Sequence, residues 1–206
     1  MNMNDFIEML QEKKIPYSID GDKIFVNGNL NLHDASITNL PDNLSVRGWL
    51  DLRGTSITSL PDNLSVDGSL YLRGASITSL PNGLSVGGDL GLSRTGITRL
   101  PENLSVGGSI DLCYTGISSL PDNLEVYGSI YLQPNRITNI VYREFWKHDY
   151  YTVFAAWLNG AYCVVVNEKI YTLKEFDGES VIADVEQAAR ECVAELEQRR
   201  KTGGAA

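Results

Sequence analysis

The sequence predicts an α/β repeat protein: a solenoid with a strip of parallel strands, a helical cap before it and a small hairpin-plus-helix unit after it. Three observations predict this class. A 20-residue repeat fills the middle of the chain, a short amphipathic segment precedes it, and an aromatic region with a hairpin signal follows it. We therefore divide the chain into an N-terminal cap at 1–23, a solenoid at 24–140, a C-terminal unit at 141–201 and a tail at 202–206.

The repeat consists of columns of similar residues that recur every 20 positions without an insertion. Valine, glycine, leucine and isoleucine columns begin at Val26, Gly28, Leu32 and Ile37 and keep the same step. The clearest column is a Leu-Pro pair, found at Leu40-Pro41, Leu60-Pro61, Leu80-Pro81, Leu100-Pro101 and Leu120-Pro121. A period of this length indicates a stacked solenoid, here of about six units.

One unit reads V-x-G-x-L-x-L-x-x-T-x-I-T-x-L-P-D-N-L-S. In Leu50-Asp51-Leu52 and its counterparts, the alternation directs both leucines inward and the residue between them outward. We expect one short strand per unit, stacked in parallel at about 4.8 Å from the next. The paired glycines Gly87-Gly88 and Gly107-Gly108 occupy a glycine column, so they are interpreted as turn residues and not as a phosphate cradle.

The core of this unit resembles the leucine-rich-repeat consensus L-x-L-x-x-N-x-L. Its I-T-x-L-P run is similar to the 20-residue repeats of bacterial effectors of the IpaH and YopM type, and to small repeat proteins carried by phages and prophages. The resemblance covers about residues 24–140 and implies a protein-binding module of bacterial or phage origin.

Four features depart from the family pattern. P-D-N-L stands where effector repeats usually carry a second Leu-Pro pair, and the region after Ile140 is too short for the ubiquitin-ligase domain of IpaH-type effectors. The Cys-x-Asp motif of that domain is also missing, because Cys192 is followed by Val193-Ala194. The family's asparagine position holds Ala35, Thr55, Ala75, Thr95, Thr115 and Asn135, so only the last unit keeps it.

Both ends of the solenoid need a cover for its aliphatic core. Residues Asn4 to Lys13 carry apolar side chains in a helical pattern and predict a helix that caps the first unit. After Ile140 the pattern predicts strands from Tyr151 to Leu158 and from Ala161 to Val166, joined by the hairpin turn Asn159-Gly160.

A third short strand is expected from Lys169 to Thr172. Thr172-Leu173-Lys174-Glu175 is a capping box, and an amphipathic helix is expected from Ser180 to Arg200. Cys163 and Cys192 fall in apolar patterns that indicate core positions. The sequence leaves open whether this unit only caps the solenoid, adds a second contact surface or forms a homodimer.

Composition excludes several functional classes. The chain is 43% apolar, with 26 acidic against 17 basic residues and a net charge of −9, which disfavours direct binding of nucleic acid. No apolar window is long enough for a membrane span, and no secretory signal peptide is expected at the N-terminus. Three cysteines at unrelated spacings indicate a reducing compartment, which we take to be the cytoplasm.

No pattern of catalytic or metal-binding residues stands out. The only histidines are His33 and His148, so a histidine or cysteine zinc motif is not expected. Cys113 faces outward but has no neighbouring base in the sequence. We therefore expect a protein that is not an enzyme and that carries no cofactor.

The candidate binding residues are those that vary between units while the buried columns stay constant. Tryptophan, tyrosine and arginine are the most common hot-spot residues of protein interfaces, and several of them share this surface with carboxylates. An internal pair with Asp51 is one role for the arginines, and an acidic partner is the other. The candidates are Arg47, Trp49, Asp51, Arg53, Tyr71, Arg73, Asp89, Asp111, Tyr127, Tyr131 and Gln133.

We expect this strip to form a concave face that binds another protein. The first hypothesis is a bacterial or phage protein that inhibits or scaffolds a host protein, for example as an anti-defence inhibitor. The second is a secreted, non-catalytic effector that joins partners in a eukaryotic host.

Overall fold

The structure, a computed structural model, describes residues 3–146, 150–176 and 183–202. Its main body is a β-solenoid in which each repeat pairs with the next at a constant step of 20 residues, as in Leu50 with Leu70. Up to residue 140 the elements are α1 (Met3–Glu12), β1 (Tyr17–Asp20), β2 (Lys23–Val26), β3 (Leu30–Asn31), β4 (Leu44–Val46), β5 (Leu50–Asp51), β6 (Ser65–Val66), β7 (Leu70–Tyr71), β8 (Ser85–Val86), β9 (Leu90–Gly91), β10 (Ser105–Val106), β11 (Ile110–Asp111), β12 (Glu125–Val126), β13 (Ile130–Tyr131) and a 3₁₀ turn (Pro134–Arg136).

The solenoid strands form two sheets. Sheet A has seven strands in the order β1-β2-β4-β6-β8-β10-β12, and sheet B has six in the order β13-β11-β9-β7-β5-β3. All neighbours in these sheets are parallel except β1 and β2, which are antiparallel. A solenoid of parallel strands with terminal covers is confirmed.

The expectation of one strand per unit is wrong, because each unit contributes one strand to each sheet. In the second unit the chain leaves β4 at Val46, bends through Arg47 to Trp49, and enters β5 at Leu50. Both strands bury alternate residues, so in sequence the pattern V-x-G-x-L-x-L reads as one continuous strand. The bend occurs at the glycine of each unit.

These glycines are required by close contact between units and not by turn geometry. A Cβ atom on Gly68 would lie 2.7 Å from the carbonyl carbon of Gly48 and 2.9 Å from the nitrogen of Trp49. The Gly68 N–H donates to the Gly48 carbonyl at 3.1 Å, so the units cannot separate here without losing a hydrogen bond. At Gly28, which has no unit before it, nothing lies within 4 Å of the same position.

Threonines occupy three of the six positions where the consensus that the repeat resembles has asparagine. Each of these threonines is buried, and its Oγ1 donates to the carbonyl three residues earlier in the same unit, which closes the turn after that strand of sheet B. The donors Thr55, Thr95 and Thr115 lie 2.7 Å from the carbonyl oxygens of Leu52, Leu92 and Leu112.

The predicted N-terminal cap helix is confirmed as α1. Phe6 and Leu10 are fully buried and belong to the same core cluster as the first solenoid strands. The additional strand β1 was not expected: it pairs with β2 through a tight turn at Gly21, whose φ is +60°. Strand β1 thereby extends sheet A by one antiparallel strand.

Beyond residue 140 lie β14 (Val141–Trp146), β15 (Tyr150–Leu158), β16 (Ala161–Val166), β17 (Lys169–Thr172), α2 (Leu173–Phe176) and α3 (Ala183–Lys201). The four strands form sheet C, an antiparallel sheet in chain order. The predicted hairpin, third strand and capping box are confirmed; Thr172 and Glu175 bond reciprocally. Strand β14 was missed, and the start of the helix expected at Ser180 lies outside the described residues.

Sheet C lies between the last repeat and α3. One of its faces, with Phe154, Leu158 and Val165, packs into the solenoid core. The opposite face packs with Val185, Cys192 and other buried residues of α3. Because side chains alternate between the two faces of a sheet, β15 and β16 contribute buried residues to both cores.

Two turns of the C-terminal unit cover the last strand of each solenoid sheet. On sheet A, the Asn159 side chain accepts the Val126 N–H at 2.8 Å and donates to the Val126 carbonyl at 3.0 Å, as a further strand would. On sheet B, the Ile130 N–H donates to the Glu168 carbonyl at 2.8 Å. Among the alternatives left open by the sequence, capping is a role that these contacts support directly.

Candidate binding site

The outer face of sheet B contains the largest group of the predicted binding residues. We define this face by the outward residues of the strands, Asn31, Asp51, Tyr71, Gly91, Asp111 and Tyr131, and by the second residue after each strand, His33, Arg53, Arg73, Ser93, Cys113 and Gln133. Leu50, Leu70 and Leu90 of the same strands are fully buried. Seven of the eleven candidates lie on this face.

The other four candidates lie outside the strands of sheet B. Trp49 and Asp89 are in the bends between the two sheets, and Arg47 and Tyr127 directly follow strands of sheet A. Tyr127 is 68% exposed and Arg47 and Asp89 are exposed as well, whereas Trp49 is half-buried. The candidates therefore do not form one continuous strip. They lie on both sides of the bend between sheets A and B, because each unit bends where one straight strand was expected.

The Asp51 carboxylate is used internally. It is only 3% exposed, and the Arg53 guanidinium binds it through both Nε and Nη2, with an Nη2–Oδ2 distance of 2.6 Å. Burial acts to raise the pKa of Asp51, but the hydrogen bonds and charge of Arg53 outweigh burial and hold the pKa below its usual value. The Arg53 guanidinium also lies 5.8 Å from the centre of the Tyr71 ring.

Arg53→Gln should therefore lower the free energy of unfolding by about 1 kcal/mol at neutral pH, a small value because the arginine is half exposed. The pair stabilises the fold while Asp51 is ionised, so this contribution is lost as the pH falls through the lowered native pKa, below about pH 4. Urea unfolding of the wild type and variant between pH 7 and pH 3 measures the difference. A difference that stays constant to pH 3 would show that Asp51 is not its source.

The carboxylates of Asp89 and Asp111 also accept hydrogen bonds from backbone groups of the solenoid. Asp89 accepts the Ser109 N–H from the next unit at 2.7 Å, and the Asp111 carboxylate accepts the Cys113 N–H at 2.9 Å. The Gln133 side chain accepts the Tyr114 N–H at 3.2 Å. These contacts give the predicted acidic and amide candidates a structural role, and they leave the arginines and tyrosines as the outward-directed groups.

A concavity of about 310 Å³ opens on the C-terminal half of this face. The small side chains of Ser93 and Cys113 line it between larger arginine and tyrosine side chains. We call it the Arg–Tyr trough and define it by its lining residues Arg73, Ser93, Arg94, Asp111, Cys113, Tyr114 and Tyr131. It brings together Arg73, Asp111 and Tyr131 of the predicted set.

Arg94 and Tyr114 were missed by the sequence interpretation. They stand three residues after strands β9 and β11, and their φ angles of +59° and +58° are left-handed. The Arg94 guanidinium lies 5.2 Å from the centre of the Tyr114 ring, and Tyr114 is 63% exposed. A signal existed in the sequence, because the same column holds Gly54 and Gly74 in the second and third units.

The thiol in the trough is not activated. Burial, followed by the nearby Asp111 carboxylate, raises the pKa of Cys113 to about 11, so the thiol stays protonated at neutral pH. The arginines around it are permanently charged and cannot act as bases. The chemistry that the trough offers is hydrogen bonding to anions and contact with aromatic rings.

A larger concavity of about 570 Å³ lies on the outer face of sheet A. Its lining is mostly serine, asparagine and leucine, with Lys23 and Phe25 at one end. The amides of Asn43 and Asn63 already bond each other at 3.0 Å, and Asn43 also donates to Asp22. This concavity therefore offers fewer free interaction groups than the smaller trough on sheet B.

Over the described ranges, no group of three or more histidine, cysteine or acidic residues is arranged to hold a metal ion. None of the helices in the same ranges is both long enough and apolar enough to cross a bilayer. His148 lies outside the described residues. Comparison of the chain with protein-family models, curated proteins and solved structures gives no match.

Proposed function

We propose that the protein is a non-enzymatic binding module of the leucine-rich-repeat type that binds another protein through the outer face of sheet B. The observation that carries this proposal is that outward residues vary between units more on sheet B than on sheet A, although both sheets are built from the same repeat. On sheet A the outward column holds serine in four consecutive units, at Ser45, Ser65, Ser85 and Ser105, between Phe25 in the first unit and Glu125 in the last. On sheet B the equivalent columns vary from unit to unit and supply arginine and tyrosine.

Residue variation between units is informative because all units share the same backbone structure. Buried columns keep their aliphatic side chains because each unit packs on the next, and the sheet A face shows that outward positions can also stay constant. Exposed tyrosine and arginine side chains provide large contact areas and multiple hydrogen bonds at protein interfaces. The sheet B face therefore has the composition that a partner protein would bind.

The setting that we propose is the cytoplasm of a bacterial or phage-infected cell, where the protein inhibits or scaffolds a host protein, for example as an anti-defence inhibitor. Cys163 and Cys192 are buried as free thiols, which is the form that a reducing compartment maintains. The repeat's similarity to phage-borne and bacterial repeat proteins supports the same setting. The proposal includes no cofactor and no catalytic step.

The test is an affinity capture from bacterial lysate with quantitative mass spectrometry. We expect a prey that binds the wild type and is lost with the combined Tyr71→Ala, Arg73→Ala and Tyr131→Ala variant. The matched control is Ser65→Ala, Ser85→Ala and Ser105→Ala on sheet A, which should retain the prey. Melting curves establish that both variants are folded.

A prey retained by the sheet B variant, or lost equally with the control, would overturn the assignment to this face. A prey whose activity falls when it is bound would support inhibition. An unchanged activity, with a third protein joined to the complex, would support scaffolding instead.

A further inference from the structure

In the first five units, the third residue after the sheet B strand has a left-handed backbone conformation. We call these positions the left-handed column, and any side chain other than glycine is retained there at a conformational cost. Non-glycine residues avoid left-handed backbone angles, and glycine adopts them freely. Gly54 and Gly74 meet this demand in the second and third units, whereas the next two units place Arg94 and Tyr114 there. Disfavoured conformations of this kind are concentrated at functional sites.

No carboxylate of the described residues neutralises the charge on Arg94. Its guanidinium lies on the Tyr114 ring, and within the described residues it forms no ion pair. Tyr114 itself is largely exposed, so the two side chains do not contribute to the buried core. The pair is therefore directed to the solvent side of the trough.

Arg73 adds a second cation to the same trough. It too forms no ion pair among the described residues, in contrast to Arg53, which Asp51 neutralises. The lining contains one carboxylate, Asp111, and that group already accepts a backbone N–H. Among the lining residues two arginines face one carboxylate, on a chain whose net charge is −9, and the Glu168 carboxylate acts on Cys113 from beyond the lining.

We propose that the Arg–Tyr trough binds an acidic segment of a partner protein, an inference that rests on the proposed protein-binding function. Arg73 and Arg94 receive one or two aspartate or glutamate carboxylates. Tyr114 and Tyr131 pack against the apolar atoms beside those carboxylates. A nucleic acid would also present anions, but its repeated phosphates would be repelled by the overall charge of the protein.

The test is a selection from a displayed library of random 12-residue peptides, with the full-length protein as bait. The wild type should select peptides enriched in Asp and Glu next to apolar residues. Synthetic copies of the selected peptides, with each acid replaced by its amide or by phosphoserine, are then measured by calorimetry. We expect the amide copies to bind about tenfold more weakly or worse, as for loss of a charge-assisted pair.

Glycine substitutions separate binding from stability in this column. Arg94→Gly and Tyr114→Gly adopt the observed backbone more easily than the native residues, so the melting temperature should stay within about 4 °C. Their affinity for the acidic peptide should fall by about tenfold or more, and Arg73→Gln should act in the same way. Asp34→Gly, at the equivalent position of the first unit, and Arg99→Gln are the controls and should bind as the wild type.

Three results would overturn the inference: selected peptides without acidic enrichment, no peptide selected at all, or equal affinity of the Arg94→Gly variant. A phosphoserine copy that binds more tightly than the acidic peptide would assign the trough to phosphorylated segments instead. After any of these results, the proposed function would still stand if the prey from the lysate is lost with the sheet B variant. Only the inference that the prey binds through acidic residues in the Arg–Tyr trough would then be rejected.

Discussion

Gly68→Ala should lower the free energy of unfolding by about 3 kcal/mol, which is at the upper end of the range for an overpacked core. Gly28→Ala should leave the free energy of unfolding unchanged or raise it slightly. The new methyl group at position 68 would meet backbone atoms of Gly48 and Trp49 that no side-chain rotation can move. The first unit has no preceding neighbour at Gly28, so the same change there meets open space.

The comparison is made by urea unfolding followed by circular dichroism. A solenoid is stabilised mainly by contacts between neighbouring units, so a gap opened between the second and third units weakens the array at its centre. Equal unfolding midpoints for Gly68→Ala and Gly28→Ala would contradict the close approach of the units. Loss of stability in both variants would instead indicate that the column is needed for its backbone conformation.

A chain ending at Ile140 should lose its cooperative fold and aggregate. Truncation removes Phe154, Leu158 and Val165 from the solenoid core and uncovers the last strands of sheets A and B. Exposed strand edges and aliphatic side chains together promote association. The bidentate contact of Arg200 with Asp122, with an Nη1–Oδ1 distance of 2.7 Å, would be lost as well.

Size-exclusion chromatography and thermal unfolding measure this effect. A chain ending at Thr202 is the control, since it keeps every described contact of the C-terminal unit, and it should behave as the full chain. Asn159→Ala should have an intermediate effect of about 1–3 kcal/mol, because it leaves the Val126 backbone groups without their partner. A soluble truncated monomer with an unchanged melting temperature would show that the solenoid needs no C-terminal cap.

The solenoid and its register follow directly from the sequence. A period of 20 residues without insertion fixes which residues pair, and the observed partners Leu50 and Leu70 differ by that step. The division into two sheets does not follow, because alternation at every second position continues through the bend. What breaks the strand is the contact between glycines of neighbouring units, which only the stacked structure reveals.

The missed strands have separate causes. β1 and β2 flank Gly21-Asp22, a recognised two-residue hairpin signal, and Tyr17 and Ile19 alternate with polar residues. The strand has only four residues and three of them are exposed, so no buried apolar run marks it. The run from Val141 to Trp146 has the aromatic content of a strand and pairs with the next strand, β15, but the sequence between them, Lys147-His148-Asp149, contains no Asn-Gly or Asp-Gly hairpin signal. Local patterns identify such a segment less readily than a tight hairpin.

The candidate site was predicted only in part. Arginine and tyrosine side chains on the varying columns face outward, as expected. Asp51 binds Arg53, which is the internal role that the sequence left open, and the Asp111 carboxylate accepts the Cys113 N–H, a contact that the sequence did not predict. Arg94 and Tyr114 were overlooked because their column lies beyond the strand. Two glycines at the equivalent positions were the signal that could have identified it.

The central claim is that the outer face of sheet B, and not that of sheet A, contacts the partner. Hydroxyl-radical footprinting of the protein, alone and with its captured prey, tests this claim directly because aromatic side chains are readily oxidised when exposed. We predict that Tyr71, Tyr114 and Tyr131 are protected in the complex while Phe25 on sheet A is oxidised as before. Protection of Phe25 with undiminished oxidation of the three tyrosines would contradict the claim.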